Sequence, residues 1–253
     1  MSRPAQVAPG VHRLGEHGVN FYLIESPGGL TLIDSGVPAD LGQLRALLAG
    51  LGGSVADVRA VLLTHGHLDH TGLAHTLGEA GADVWVHQGD DGILRDGPRS
   101  VNRYAKPERS MLPYLLRRPS ALALPLRLAR AGAFTAPAVR NARVFDADQV
   151  LAGVPGAPLA VALPGHTPGS AAYLFADRGL LFTGDALVTE DGFAGHTGPM
   201  IVSRCFTHDS RAALAALDRL DELTADLLLP GHGAPFADGI RTATRQARQF
   251  GVR

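Results

Sequence analysis

The 253-residue chain predicts a mixed α/β single domain carrying a helical insert. Three observations predict it. Apolar runs of strand length crowd both ends of the chain, segments of helical period separate them, and residues 88–140 break into proline-punctuated, arginine-rich pieces. With 45% hydrophobic residues, one domain over 1–253 can bury a sizeable core.

Taken in order, residues 20–26 (NFYLIES) and 30–36 (LTLIDSG) read as two strands around the Pro27-Gly28-Gly29 turn. From Pro38, the spacing of Leu41, Leu44, Leu48 and Leu51 predicts a helix that stops at Gly52-Gly53. Residues 59–64 (RAVLLT) suit a buried strand, 71–80 a helix stopped by Gly81, and 83–87 (DVWVH) another strand. The 88–140 insert holds Arg95, Arg99, Arg103, Arg109, Arg117, Arg118, Arg127 and Arg130 among leucines and prolines, which fits short interrupted helices. Strand texture returns at 142–145, 158–163, 171–176, 179–184 and 226–231. Helices are expected at 209–221, with Leu214, Leu217 and Leu220 on one side, and at 238–250, with Ile240, Ala243, Ala247 and Phe250.

The net charge of −1 gives no overall pull towards nucleic acid or an anionic membrane, so neither is an expected partner. Lys106 is the only lysine among 23 basic residues, and the abundance of Arg, Ala, Gly and Pro fits a GC-rich bacterial gene. A lone cysteine, Cys205, rules out an intrachain disulfide and leaves little room for thiolate metal ligation. No apolar stretch approaches the ~20 residues of a membrane span, and the N-terminus lacks a continuous apolar segment. The expectation is a cytoplasmic protein.

Polar residues able to bind a metal follow five of the apolar runs. Asp34 ends the second; His65, His67, Asp69 and His70 follow the third in THGHLDH; His166, Asp185 and His232 follow PLAVALPG, GLLFTG and DLLLPG. Sheet edges can hold such groups convergently while loops orient them. Imidazole and carboxylate suit zinc and similar divalent ions. His65 and His67, two apart on a tight turn, can face one ion with His166. Asp69 and His70 continue round the turn to a second ion with His232, and Asp185 can bridge the two. That set fits two divalent ions, zinc by preference, with manganese, iron, cobalt or nickel also acceptable.

THGHLDH, together with the order and spacing of Asp34, His166, Asp185 and His232, resembles the metallo-β-lactamase superfamily over residues 18–236. The resemblance implies an αββα sandwich, two mixed β-sheets with outer helices and metals at one edge. It also implies that Asp34 orients the ligand loop from behind. The expected activity is hydrolysis of a small ester, thioester or lactone by a metal-bridging hydroxide, with Asp69 and Asp185 as catalytic carboxylates.

Within the superfamily, Asp185 resembles the glyoxalase II and lactonase branches. GDALVTEDGF lacks the tyrosine typical of acyl-homoserine lactonases, and only 21 residues follow His232, too few for the helical domain with which glyoxalase II binds glutathione. A mononuclear-iron persulfide dioxygenase is the alternative, and a β-lactam hydrolase a weaker one. His196 and Arg204 are candidate substrate contacts, Lys106 a weaker one, and His87 is close enough in sequence to a strand end to reach the pocket. His12, His17 and His75 read as surface or packing residues, and His208 as lying near a helix start. The insert is expected to serve as a lid or a homodimer contact over a small-molecule site.

Overall fold

The computed structural model describes residues 4–16 and 18–253. His17, read as a surface or packing residue, lies outside them. Seven strands run in sequence order across the first sheet: β1 (Ala5–Ala8), β2 (Val11–Leu14), β3 (Phe21–Ser26), β4 (Gly29–Ile33), β5 (Val58–Leu62), β6 (Asp83–His87) and β7 (Arg143–Phe145). The first four pair antiparallel and the rest parallel. The second sheet uses β8 (Gln149–Val150), β9 (Leu159–Ala162), β10 (Ala171–Phe175), β11 (Leu180–Gly184) and β14 (Leu227–Pro230), ordered β14-β11-β10-β9-β8. A separate hairpin joins β12 (Val188–Asp191) to β13 (His196–Met200).

Side-chain alternation builds the layers. In β3, Tyr22 and Ile24 turn towards the second sheet while Phe21 and Leu23 turn outward, and β10 repeats this with Ala171, Tyr173 and Phe175 against Ala172 and Leu174. With both faces covered, the strands read as continuous apolar runs. The outer face of the first sheet packs on α1 (Leu41–Gly50) and α2 (Ala74–Glu79) through Leu44, Leu48 and Leu77. The second packs on α7 (Ser210–Asp221) and α8 (Ile240–Phe250) through Leu217, Leu220, Ala243 and Ala247. This is the expected αββα sandwich.

Two tyrosines clasp the sheets across their shared core. Tyr22, from the first, donates its hydroxyl to the Pro230 carbonyl at 2.7 Å; Tyr173, from the second, donates to Leu63 at 2.8 Å. Both accepting carbonyls lie two residues before a predicted ligand, His232 and His65. Burial pushes both phenols up in pKa, so they stay protonated donors.

The insert is helical as expected, in short pieces: α3 (Gln88–Asp96), α4 (Val101–Tyr104), α5 (Leu112–Arg117) and α6 (Ala123–Arg130), joined by 3-10 turns. Prolines 98, 113 and 119 stand in first turns, where a missing N–H costs nothing. Its beginning belongs to the sandwich, because Leu94 of α3 joins the outer core of the first sheet. Elements that the sequence pattern did not disclose are β1, β2, β8 and the β12–β13 hairpin, where apolar residues are few or irregularly placed.

Candidate metal centre

All seven predicted ligands meet at one edge of the sandwich, each on the loop after a strand. The loop after β5 supplies His65, His67, Asp69 and His70; those after β9, β11 and β14 supply His166, Asp185 and His232. Three groups of potential ligand atoms form, each within 4.8 Å: His65 with His67 and His166, Asp69 with His70 and His232, and between them His65 with His70 and Asp185. Asp185 reaches the first two. Its Oδ2 lies 3.5 Å from His166 Nε2 and 3.2 Å from His232 Nε2, and its Oδ1 lies 3.5 Å from His70 Nε2.

Hydrogen bonds behind the ligands fix which nitrogen faces inward. Asp34, held at φ 57°, accepts from Thr64 N at 2.7 Å and from His70 Nδ1 at 2.9 Å. The Thr64 hydroxyl donates to Asp34, so its oxygen is left to accept from His65 Nδ1 at 3.0 Å. His232 Nδ1 donates to the Gly18 carbonyl at 2.6 Å. These three imidazoles therefore turn Nε2 to the centre, the nitrogen that metal coordination would use once its proton is released. His65 Nε2, His70 Nε2, His166 Nδ1 and Asp185 Oδ1 are buried without a partner. Each such atom costs roughly 1–3 kcal/mol when unsatisfied, and divalent cations would satisfy the three that face the centre, His65 Nε2, His70 Nε2 and Asp185 Oδ1. A β-carbon at Gly231 would overlap Asp185 Oδ1 and crowd His70, so only glycine leaves that space open.

Electrostatics separates the groups. Burial and neighbouring imidazoles hold His65 and His166 well below the usual histidine pKa. Burial also opposes charge on His70 and His232, but the carboxylates of Asp185 and Asp69 outweigh it, pushing them up to about 9 and about 10. Burial would raise Asp185, yet His232 and His70 hold it well below the usual carboxylate range. In the absence of cations, protons on His70 and His232 balance these acids, and cation binding would release them.

Sequence reasoning missed Asp90. Fully buried in the first turn of α3, its carboxylate accepts from Gly66 N at 2.6 Å, Thr167 Oγ1 at 2.7 Å and Gly169 N at 2.8 Å. It thus ties the His65–His67 turn to the loop carrying His166. The signal was available, since Asp90 follows β6 as the other site residues follow theirs.

The remaining candidates have other partners. His196 stacks on Phe250 at 4.0 Å, and Arg204 pairs with Glu108 at 2.5 Å, fastening the insert to the loop before α7. His87 caps α3 by accepting from Gly89 N, and Lys106 offers its carbonyl to His208, two residues before α7. His12 meets Glu25 and His75 the Ala138 carbonyl.

Comparison with known proteins agrees with this geometry. The family model described as the metallo-beta-lactamase superfamily matches residues 14–232. Two proteins of Bacillus subtilis strain 168 align over 245 residues and 91% of this chain: YobT, at 28% identity over 89% of its own length, and the probable metallo-hydrolase YflN, at 26% over 86%. A metallo-beta-lactamase family protein of Thermus thermophilus superposes with a TM-score of 0.67 at 27% identity, over 95% of this chain and 79% of that one.

Proposed function

The chain belongs to the metallo-β-lactamase superfamily and is a metal-dependent hydrolase; from that premise we propose that it cleaves a small ester, thioester or lactone at a two-ion centre. One observation carries the reading: two ligand triads share the carboxylate of Asp185. His65, His67 and His166 would hold one ion, Asp69, His70 and His232 the other, with zinc preferred by the nitrogen-rich set. Such ions supply hydroxide at neutral pH, by lowering the pKa of water from 15.7 to about 7, and polarise a carbonyl.

The chain's own residues do the rest. Asp34 and Thr64 hold His70 and His65 in their tautomers, and Asp90 holds the first triad together. Asp69, whose Oδ2 lies 3.8 Å from His70 Nε2 and 3.6 Å from His232 Nε2, would take the proton of the attacking water. A single-iron persulfide dioxygenase would need only the first triad, whereas two of the unpartnered atoms, His70 Nε2 and Asp185 Oδ1, face the second.

Elemental analysis of protein purified without added metal or chelator tests this. Two zinc or manganese ions per chain, with turnover on an ester, thioester and lactone panel, are expected. One iron with oxygen consumption would overturn the reading. Asp185→Asn should lower turnover about a thousandfold or more and reduce metal content, with the fold intact.

A further inference from the structure

Near-neutral overall charge hides a local segregation. Residues 109–140 contain six arginines and no acidic residue. The same stretch holds six of the nine large hydrophobic side chains that are exposed among the described residues: Met111, Leu112, Leu116, Leu122, Leu126 and Phe134. Leu116 is 75% exposed and Leu112 60%, and exposed apolar side chains gathered in one place, unlike scattered ones, mark an interaction surface.

The geometry sets these leucines on the outer side of the insert. In α5, Tyr114 and Leu115 turn inward; in α6, Leu124 does so, and all three pack in one cluster with Ala121, Phe193 and Cys205. Leu112 and Leu116, then Leu122 and Leu126, are spaced i and i+4, so each pair shares the opposite face of its helical segment. Arg117, Arg118, Arg127 and Arg130 flank them, and none forms an ion pair among the described residues. A pocket of about 460 Å³ opens beside α5, lined by Arg117, Arg118 and Arg253 with Tyr114, Phe193 and Phe250. No acid lines it, and the Arg253 guanidinium lies 4.9 Å over the Phe250 ring.

We propose that this face of the insert docks on an anionic phospholipid surface, its leucines in the interface and its arginines against phosphate headgroups. Leucine pairs ringed by arginine are what an interfacial helix presents to acidic lipid. A second copy of the chain fits poorly, because a two-fold contact through this patch would set Arg117, Arg118, Arg127 and Arg130 against the same four, with no acid in residues 109–140 between them. The sites are coupled in space. Leu124 also packs in the cluster of Val37 and Leu128 with Leu68, which lies between His67 and Asp69. The lipid-facing helices therefore rest on the metal loop, and a substrate with an apolar tail would arrive where it is cleaved. Docking itself does not rest on the proposed reaction.

Flotation of the full chain with vesicles tests it, comparing phosphatidylcholine alone with phosphatidylcholine mixed with phosphatidylglycerol. Binding is expected to the mixed vesicles only, and to weaken with salt. The double variant Arg117→Gln, Arg130→Gln should weaken it roughly fivefold per arginine. Leu112→Ser, Leu116→Ser, Leu122→Ser and Leu126→Ser together should abolish it. Since all these side chains are exposed, circular dichroism and metal content should stay unchanged, which separates lost docking from lost folding. Failure to float with either vesicle, or equal flotation with both, would overturn the proposal. So would dimers in light scattering that the leucine variant dissolves, which would assign the face to a second copy.

Discussion

Replacing Asp90 with alanine tests whether the first ligand triad is assembled by a carboxylate that binds no metal. The change removes three hydrogen bonds at 2.6–2.8 Å and leaves two backbone N–H groups and one hydroxyl in a fully buried space. At roughly 1–3 kcal/mol for each unsatisfied group, with relaxation and re-pairing of Thr167 to Ser170 offsetting part, the expected loss is about 3–5 kcal/mol. Asp90→Asn should cost less, about 2 kcal/mol, because one oxygen still accepts from Gly169 while the amide group opposes Gly66 N. Urea denaturation of the metal-free protein would give these values. The decisive readout is chelator competition. Gly66 separates His65 from His67, and Thr167 follows His166, so the three-histidine group should lose about 10- to 100-fold in affinity while the group of Asp69, His70 and His232 keeps its own. If stability fell but both affinities held, the positioning argument would be refuted and Asp90 would be a core residue only.

Other consequences can be measured more simply. Tyr173→Phe removes the donor to the Leu63 carbonyl inside the sandwich and should cost about 1–3 kcal/mol in urea denaturation. Gly231→Ala drives a β-carbon into Asp185 and His70, so metal content and turnover should fall while far-ultraviolet circular dichroism is preserved. Glu108, opposed by partial burial but held by Ser210 N and Arg204, has a carboxyl pKa lowered from its ordinary 4.5. Its contribution is complete above that value and lost as pH falls through the lower folded value. The gap in Tm between wild type and Glu108→Gln should therefore be open at neutral pH and close in strong acid; a pH-independent gap would refute this.

The strands and the convergence of the candidate ligands were legible because burial on both faces leaves uninterrupted apolar runs, and polar residues at strand ends stand out against them. The run RAVLLT passing into THGHLDH discloses β5 and half the site at once. The β12–β13 hairpin was not legible. Its polar and glycine-rich sequence owes its conformation to Asp191 at the end of β12, whose carboxylate accepts from Phe193 and Ala194 N–H groups in the turn and from Ser203 N–H beyond the hairpin. Asp90 escaped notice because QGDDG suggests a helix start, and only the folded chain shows Gly66 and Gly169 beneath it. His196 sits differently from what its place in the sequence suggests. Lying close in sequence to Asp185 suggested the pocket, but the hairpin carries it onto α8.

Each ligand triad draws from both sheets: His65 and His67 stand on the first and His166 on the second, while Asp69 and His70 stand on the first and His232 on the second. Cations held there would stitch the sandwich along one seam, with Tyr22 and Tyr173 sewn through the core behind them. Neither sheet could then peel away alone. Slow hydrogen exchange in β5 and in β11 would report one shared opening, and that opening would become rarer on metal loading. A seam closed so tightly has no hinge to lend to catalysis. The insert is joined to that seam by side-chain packing alone, where Leu124 belongs to two clusters and meets Leu68 outside any strand.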